Sequence, residues 1–254
     1  MSAMSRLRHQ VEFDLLIFRR NPAATFFTAV LPLIFLLIFT SIFGNETLSD
    51  GVRAATFYVP GILALAIVSA TTVNLAITMT TRRERGMLKR VRGTPIPSWV
   101  FIGSQAIAGF VISAVMTVLI VVIGRLAFDV TLNTSGIPSL LITVIVGATS
   151  FSAIGLALTS IIPSEDAAPA VTNAIFLPLY FVSDVFIVSE DAPDFIRRIG
   201  DLFPVKHMSV AMQDSFNPFI EGTPWPWKNW LVIAAWGIVC GVIALRTFRW
   251  VPRR

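Results

Sequence analysis

Apolar residues in this chain run in long blocks, without the period-two alternation of a half-buried strand. Six blocks approach or exceed the roughly 20 residues that a helix needs to cross a hydrocarbon core: Ala24–Phe43, Phe57–Thr81, Trp99–Ile123, Pro138–Ile162, Ala167–Val188 and Asn229–Leu245. With no water inside a bilayer to satisfy the backbone, continuous runs of this length predict helices rather than barrel strands. The first 22 residues differ: Leu7, Val11, Leu15 and Phe18 share one helical face, while Arg6, Arg8, His9, Glu12, Arg19 and Arg20 lie off it. Phe13 and Ile17 interrupt that pattern. An amphipathic helix lying in the interface is expected here, turned into the first span by Arg19–Pro22. Residues 189–228 predict a second helical excursion, whose face is Phe195, Ile196, Ile199 and Leu202. Acids precede that helix and Arg197 and Arg198 follow, in accord with its dipole.

Composition sharpens the class. Of 254 residues 55% are hydrophobic and 14% charged, against roughly a quarter charged in soluble domains, and the mean hydropathy is +0.76. Lipid must therefore solvate much of the surface, which makes the chain one all-α integral membrane domain over residues 1–254. The first block is too long for a secretory signal, and no small-residue cleavage site follows Phe43. Cytoplasmic loops are enriched in Lys and Arg. Fourteen of the twenty basic residues fall in the N-terminal segment, the loop 82–98 and the tail, while six fall in the segments of the other side. Both termini are therefore expected in the cytoplasm, with Trp225, Trp227 and Trp230 in an interfacial belt where the last span enters. The net charge of +5 follows from that bias, and no nucleic-acid-binding signature accompanies it. Cys240 is the single cysteine, so no disulfide within the chain is possible.

The loop Arg82–Pro97 carries Arg82, Arg83, Arg85, Lys89, Arg90 and Arg92. Met87, Leu88 and Val91 place an apolar face on a short helix, stopped by Gly93 and Pro95. Charges alone would suffice to fix topology; an apolar face framed by arginines suits either a partner's groove or the headgroup layer. Inside the blocks, Asn74, Gln105 and Asn173 are polar residues that either bond a neighbouring helix or mark a transport path. Asp184 near the outer end of the fifth block reads as an outer gate or as a water-exposed helix end. No lysine follows a glycine, so the chain has no P-loop for ATP, and GxSxG and HExxH are absent.

In this order of features the chain resembles the permease subunits of ABC-2 type exporters, over essentially its whole length. The carrying residues are the "RNP" turn, the E-x-G-x-L…TP pattern at Glu84, Gly86, Leu88, Thr94 and Pro95, and the stretch Asn173–Gln213 with Pro178, Pro204, His207 and Gln213. Ser183–Asp184 stands where the family usually has Ser-Gly, and Val205 departs from the usual residue. The resemblance implies six spans with both ends inside, a cytoplasmic coupling helix and an extracellular helical lid. It implies that Glu84, Gly86, Met87, Leu88 and Arg90 dock a separate ATPase, which holds ATP and Mg while this chain binds no cofactor. It further implies two permease chains, identical or different, with two ATPase chains in a bacterial plasma membrane. Asn74, Asn173, Phe176, Tyr180 and Asp184 become path candidates, and their aromatic, mostly neutral character favours an amphipathic cargo such as a drug or lipid. The alternative, an ion-coupled secondary transporter, would want titratable residues near the midplane and repeated halves. Only Asp184 is available for the first, and no repeat is evident.

Overall fold

The computed structural model describes residues 3–44, 53–93, 97–130, 132, 134–186 and 193–251, which are helical apart from turns. The helices are α1 (Ala3–Arg20), α2 (Pro22–Phe43), α3 (Ala54–Glu84), α4 (Met87–Arg92), α5 (Ser98–Phe128) and α6 (Ile137–Leu158). They continue with α7 (Ala167–Phe181), α8 (Asp194–Leu202), α9 (Pro204–Phe216) and α10 (Trp227–Thr247). Five are long and apolar enough to cross a membrane: α2, α3, α5, α6 and α10.

The expected fifth block behaves differently. α7 has 15 residues, about 22 Å at 1.5 Å per residue, against a core of about 30 Å. It stops at Phe181 because Pro178 removes one helical donor and the chain then turns through Asp184 in a left-handed conformation, φ 54°. The last two residues of the predicted block, Ile187 and Val188, lie outside the described residues. α3, by contrast, runs three residues further at each end than its apolar block, to 31 residues, about 46 Å.

α3 is the centre of the bundle. Ile62 to Val68 are all within 3% of complete burial, enclosed by α2, α5, α6 and α9. Lipid tails are as apolar as leucine, so close packing and interhelical hydrogen bonds hold such a bundle together. Small residues make the close approach possible: a Cβ on Gly155 of α6 would sit 2.8 Å from the Thr72 carbonyl of α3. Thr72 Oγ1 also donates to Phe151 O at 2.8 Å. α10 lies along α6 with Gly237 against Ser150, and Cys240 is buried. Two wide π-helical turns, Phe26–Val30 in α2 and Ser69–Val73 in α3, face each other.

α1 packs along α5 with Leu7, Val11, Leu15 and Phe18 half-buried, so the predicted face meets the chain's own helix; Phe13 is exposed. The "RNP" turn forms as expected: Asn21 Oδ1 accepts from Ala24 N at 3.1 Å, and Pro22 takes the first helical position. In the α8–α9 hairpin, Phe195, Ile199 and Leu202 stay exposed. Its apex is held by α10, where Trp236 Nε1 donates to Leu202 O at 3.0 Å and stacks on Phe203. Of the expected tryptophan belt, Trp225 and Trp227 are exposed, whereas Trp230 turns inward and donates to Thr143 Oγ1 at 2.9 Å.

Candidate functional site

Two regions carry the expected functional residues. The first is the corner where α3 ends and α4 begins. Gly86 makes the corner with φ 69°, a conformation that favours glycine, and no atom lies within 4 Å of the place where a Cβ would stand. Three arginines leave it in different directions. Arg82 Nη2 bonds Asp14 Oδ1 of α1 at 2.9 Å, and both side chains are buried. The other carboxylate oxygen accepts from Ser104 Oγ of α5 at 2.8 Å, and Phe101 lies under the Arg82 guanidinium. Arg83, 2% exposed, donates to Thr159 O at 2.6 Å and Ile162 O at 2.8 Å. Those carbonyls follow the last turn of α6, where a cation also meets the negative end of the helix dipole. Arg85 Nε reaches Glu165 in the α6–α7 turn at 2.9 Å.

The expected docking residues divide. Glu84 is half-buried and accepts from Arg83 Nε at 2.7 Å. Met87 is 40% exposed, and Lys89 and Arg90 are exposed. Leu88 faces inward: it is 1% exposed, in a cluster with Leu75, Met79 and Phe101 against which Val91 and Trp250 pack. The apolar face formed by Leu88 and Val91 is thus used within the chain, and the outward side of α4 is Met87, Lys89 and Arg90. Thr94 and Pro95 lie outside the described residues. Two of the arginines that read as topology charges, Arg82 and Arg83, are structural ties. Asp14, Ser104 and the acceptors of Arg83 carried no sequence signal, since an acid in a basic leader reads as surface, as its neighbour Glu12 is.

The second region is a cavity of about 240 Å³ between α2, α3 and α7. Asn74, Asn173, Phe176 and Tyr180 all line it, joined by Phe27 and Phe35 of α2 and Ser69 of α3. Both π turns contribute to its wall, through Phe27 and Thr28 of α2 and Ser69 and Val73 of α3. No charged side chain is among its lining residues. The walls are apolar and aromatic with a few amides and hydroxyls, the pattern of a small-molecule site.

Asp184 is not among those lining residues. It is 6% exposed, which corrects the expectation of a water-exposed helix end. Its carbonyl accepts from Ser209 Oγ and Gln213 Nε2, each at 2.9 Å. Its carboxylate lies 3.9 Å from Lys206 Nζ, which pairs with Asp201 at 2.8 Å. The Asn173–Gln213 motif thereby acquires physical content. Pro178 helps to end α7, Pro204 starts α9, Gln213 pins the turn between them, and His207 is held between Asn229 Oδ1 and Asp201 O.

Known proteins resemble this chain in sequence. The chain is 26% identical over 237 residues to the daunorubicin resistance ABC transporter permease protein DrrB1 of Streptomyces coeruleorubidus, covering 91% of this chain and 81% of that one. It is 22% identical over 217 residues to YvfS of Bacillus subtilis, named as a transport permease, covering 85% and 86%. The model of the ABC-2 type transporter family matches residues 9–217, from the first helix through the turn-pinning Gln213 to the end of α9. The chain belongs to the ABC-2 type transporter family.

Proposed function

We propose that this chain is the membrane half of an exporter whose ATP hydrolysis is supplied by a separate ATPase, and that the α2–α3–α7 cavity holds its amphipathic cargo. The observation that carries the reading is the cavity itself, in which four of the five expected path residues meet in a neutral, partly aromatic wall. The lack of a P-loop supports an engine on another chain. On this reading the outward face of α4, with Met87, Lys89 and Arg90, seats in the ATPase, and Leu88 anchors α4 from within. Both termini and α4 lie on the cytoplasmic side of a bacterial plasma membrane, α7 with the hairpin behind it completes the sixth crossing, and two permease chains join two ATPase chains. An ion-coupled carrier would want a carboxylate, histidine or basic side chain in the cavity wall, and the lining residues include none of these.

The test is co-purification with a co-expressed ABC-type ATPase, sought first in the adjacent reading frames, followed by ATP-driven uptake of daunorubicin, an aromatic amphipath, into inverted vesicles. Met87→Asp with Arg90→Glu should abolish both ATPase capture and uptake while leaving the permease folded. Leu88→Asp would instead damage the internal cluster and is the wrong probe of docking. Capture undiminished by the double substitution refutes the docking face, and daunorubicin uptake without ATP refutes the ATP-driven reading.

A further inference from the structure

Beyond the aromatic cavity lies a smaller pocket of about 30 Å³, walled chiefly by α1, α3 and α5, whose mixed lining holds the polar side chains Asp14, Asn21, Asn74, Thr78, Arg82 and Gln105. The two share Asn21, Ala24, Asn74 and Thr78 as lining residues. At this size the pocket accommodates a group the size of a water molecule or slightly larger, and no ring. Into it faces Gln105, 6% exposed, whose Nε2 has no hydrogen-bond partner. A buried donor left unmet is the exception in folded proteins, and each instance calls for an explanation. The hydroxyls of Thr80, Ser139, Tyr180 and Ser183 are also buried without a partner, but of these groups only the Gln105 amide faces this pocket, and an acceptor seated there would meet it.

The neighbouring groups define which acceptor fits. Asp14 is occupied by Arg82 at 2.9 Å and Ser104 at 2.8 Å, with Gln10 Nε2 a further 3.4 Å contact. Thr78 Oγ1 is 3.4 Å from Asn74 Oδ1, and Asn21 Oδ1 accepts from Ala24 N. An anion entering here would have to compete with Asp14 for Arg82, and a cation would have to compete with Arg82 for Asp14. Both would break a buried pair to gain another. A neutral oxygen breaks nothing and satisfies the free amide.

We infer that this pocket is the head-group end of the cargo site, with Gln105 donating to a neutral oxygen acceptor, a carbonyl, hydroxyl or ether, at one end of an amphipath. The aromatic body of the same molecule occupies the larger chamber against Phe176 and Tyr180. The inference rests on the cargo reading of the cavity and adds to it a specificity-determining residue on α5 and a polarity for the bound molecule, oxygen-bearing end towards α1.

Two fluorescent probes test it on the purified permease–ATPase complex in lipid nanodiscs, corrected for partition into empty nanodiscs. Both carry a dansyl ring on the same alkyl arm; one arm ends in a methyl ketone and the other in the isosteric isopropyl group. The wild-type complex should bind the ketone roughly tenfold to hundredfold more tightly, the range expected when a buried donor is met rather than left unmet. Gln105→Leu should equalise the two affinities by weakening only the ketone, and should not lower the melting temperature, because it removes an unmet donor at similar volume. Gln105→Met serves if the leucine variant misfolds. Phe176→Ala should weaken both probes alike and keep the preference. A preference that survives Gln105→Leu, or its absence in the wild type, overturns the assignment of Gln105. If neither probe binds the wild type at all, the cargo reading of the cavity fails, and this inference with it.

Discussion

Removing the Asp14 carboxylate should unseat α1. Its side chain is 3% exposed and that of Arg82 is 7% exposed, at 2.9 Å from each other. Deleting one member of a buried pair costs about 3–5 kcal/mol, mostly because the other charge is stranded. Arg82 would retain the Phe101 face, 5.8 Å from its ring centroid, which offsets about 1 kcal/mol, so the lower end of the range applies. The rest of the α1 seat cannot make up the difference. Leu7, Val11, Leu15 and Phe18 are half-buried against α5, and lipid is an equally good solvent for them. A loss of about 3 kcal/mol lowers the seated-to-unseated ratio more than a hundredfold. The assay is a cross-link, made with a short bis-thiol reagent, between Leu7→Cys and Gly103→Cys, where a Cβ on Gly103 would stand 3.9 Å from Leu7 Cδ1, in a Cys240→Ser background. Asp14→Ala should sharply reduce its yield, and Asp14→Leu with Arg82→Met should restore it, because no charge is then left behind. If Asp14→Ala cross-links as readily as its parent, or the double variant fares no better than the single, the ion pair is not what seats α1.

Two further predictions concern packing and pH. A Cβ on Gly237 would lie 2.5 Å from Ser150 Oγ and 2.8 Å from Ser150 Cα, whereas one on Gly241 meets only Ala153 Cβ at 3.8 Å. Gly237→Ala should therefore cost about 1–3 kcal/mol and Gly241→Ala should be nearly neutral; equal melting temperatures would refute the asymmetry. Burial pushes the Asp214 carboxyl of α9 up from its ordinary value. The folded chain then holds that proton more tightly than the unfolded one, so stability is lost as pH rises from the unfolded value through the folded one. Asp214→Asn should flatten this part of a melting-temperature series and stabilise the protein above it; an unaltered series would acquit Asp214.

Length of apolar run is a strong signal, and five crossings were legible from it nearly to their ends. The fifth block was misjudged in length because apolar residues continue to Val188, whereas the helix ends at Phe181, just before the turn in which Ser209 and Gln213 capture the Asp184 carbonyl. Those donors are 25 and 29 residues away, beyond the reach of any local pattern. Asn74, Asn173, Phe176 and Tyr180 were legible as polar or aromatic positions in apolar helices, and one cavity brings the four together. Leu88 was placed on the right helix and given the wrong direction, since six residues of periodicity cannot say which side of a helix faces the protein. Asp14, Arg82 and Arg83 were illegible for a related reason: a charge that will be buried looks, in sequence, like one that will not.

The corner before α4 has a mechanical consequence. Arg82, Arg83 and Arg85 fan out like spokes, to α1 and α5, to the end of α6, and to the entrance of α7. Apolar surfaces can slip past one another or trade neighbours for lipid tails, but a guanidinium gripping two carbonyls keeps its bearing. Asn173, Phe176 and Tyr180 follow on α7 beyond the last spoke, which is the exposed Arg85–Glu165 pair, so the corner and the cavity wall are separated by little more than two turns of one helix.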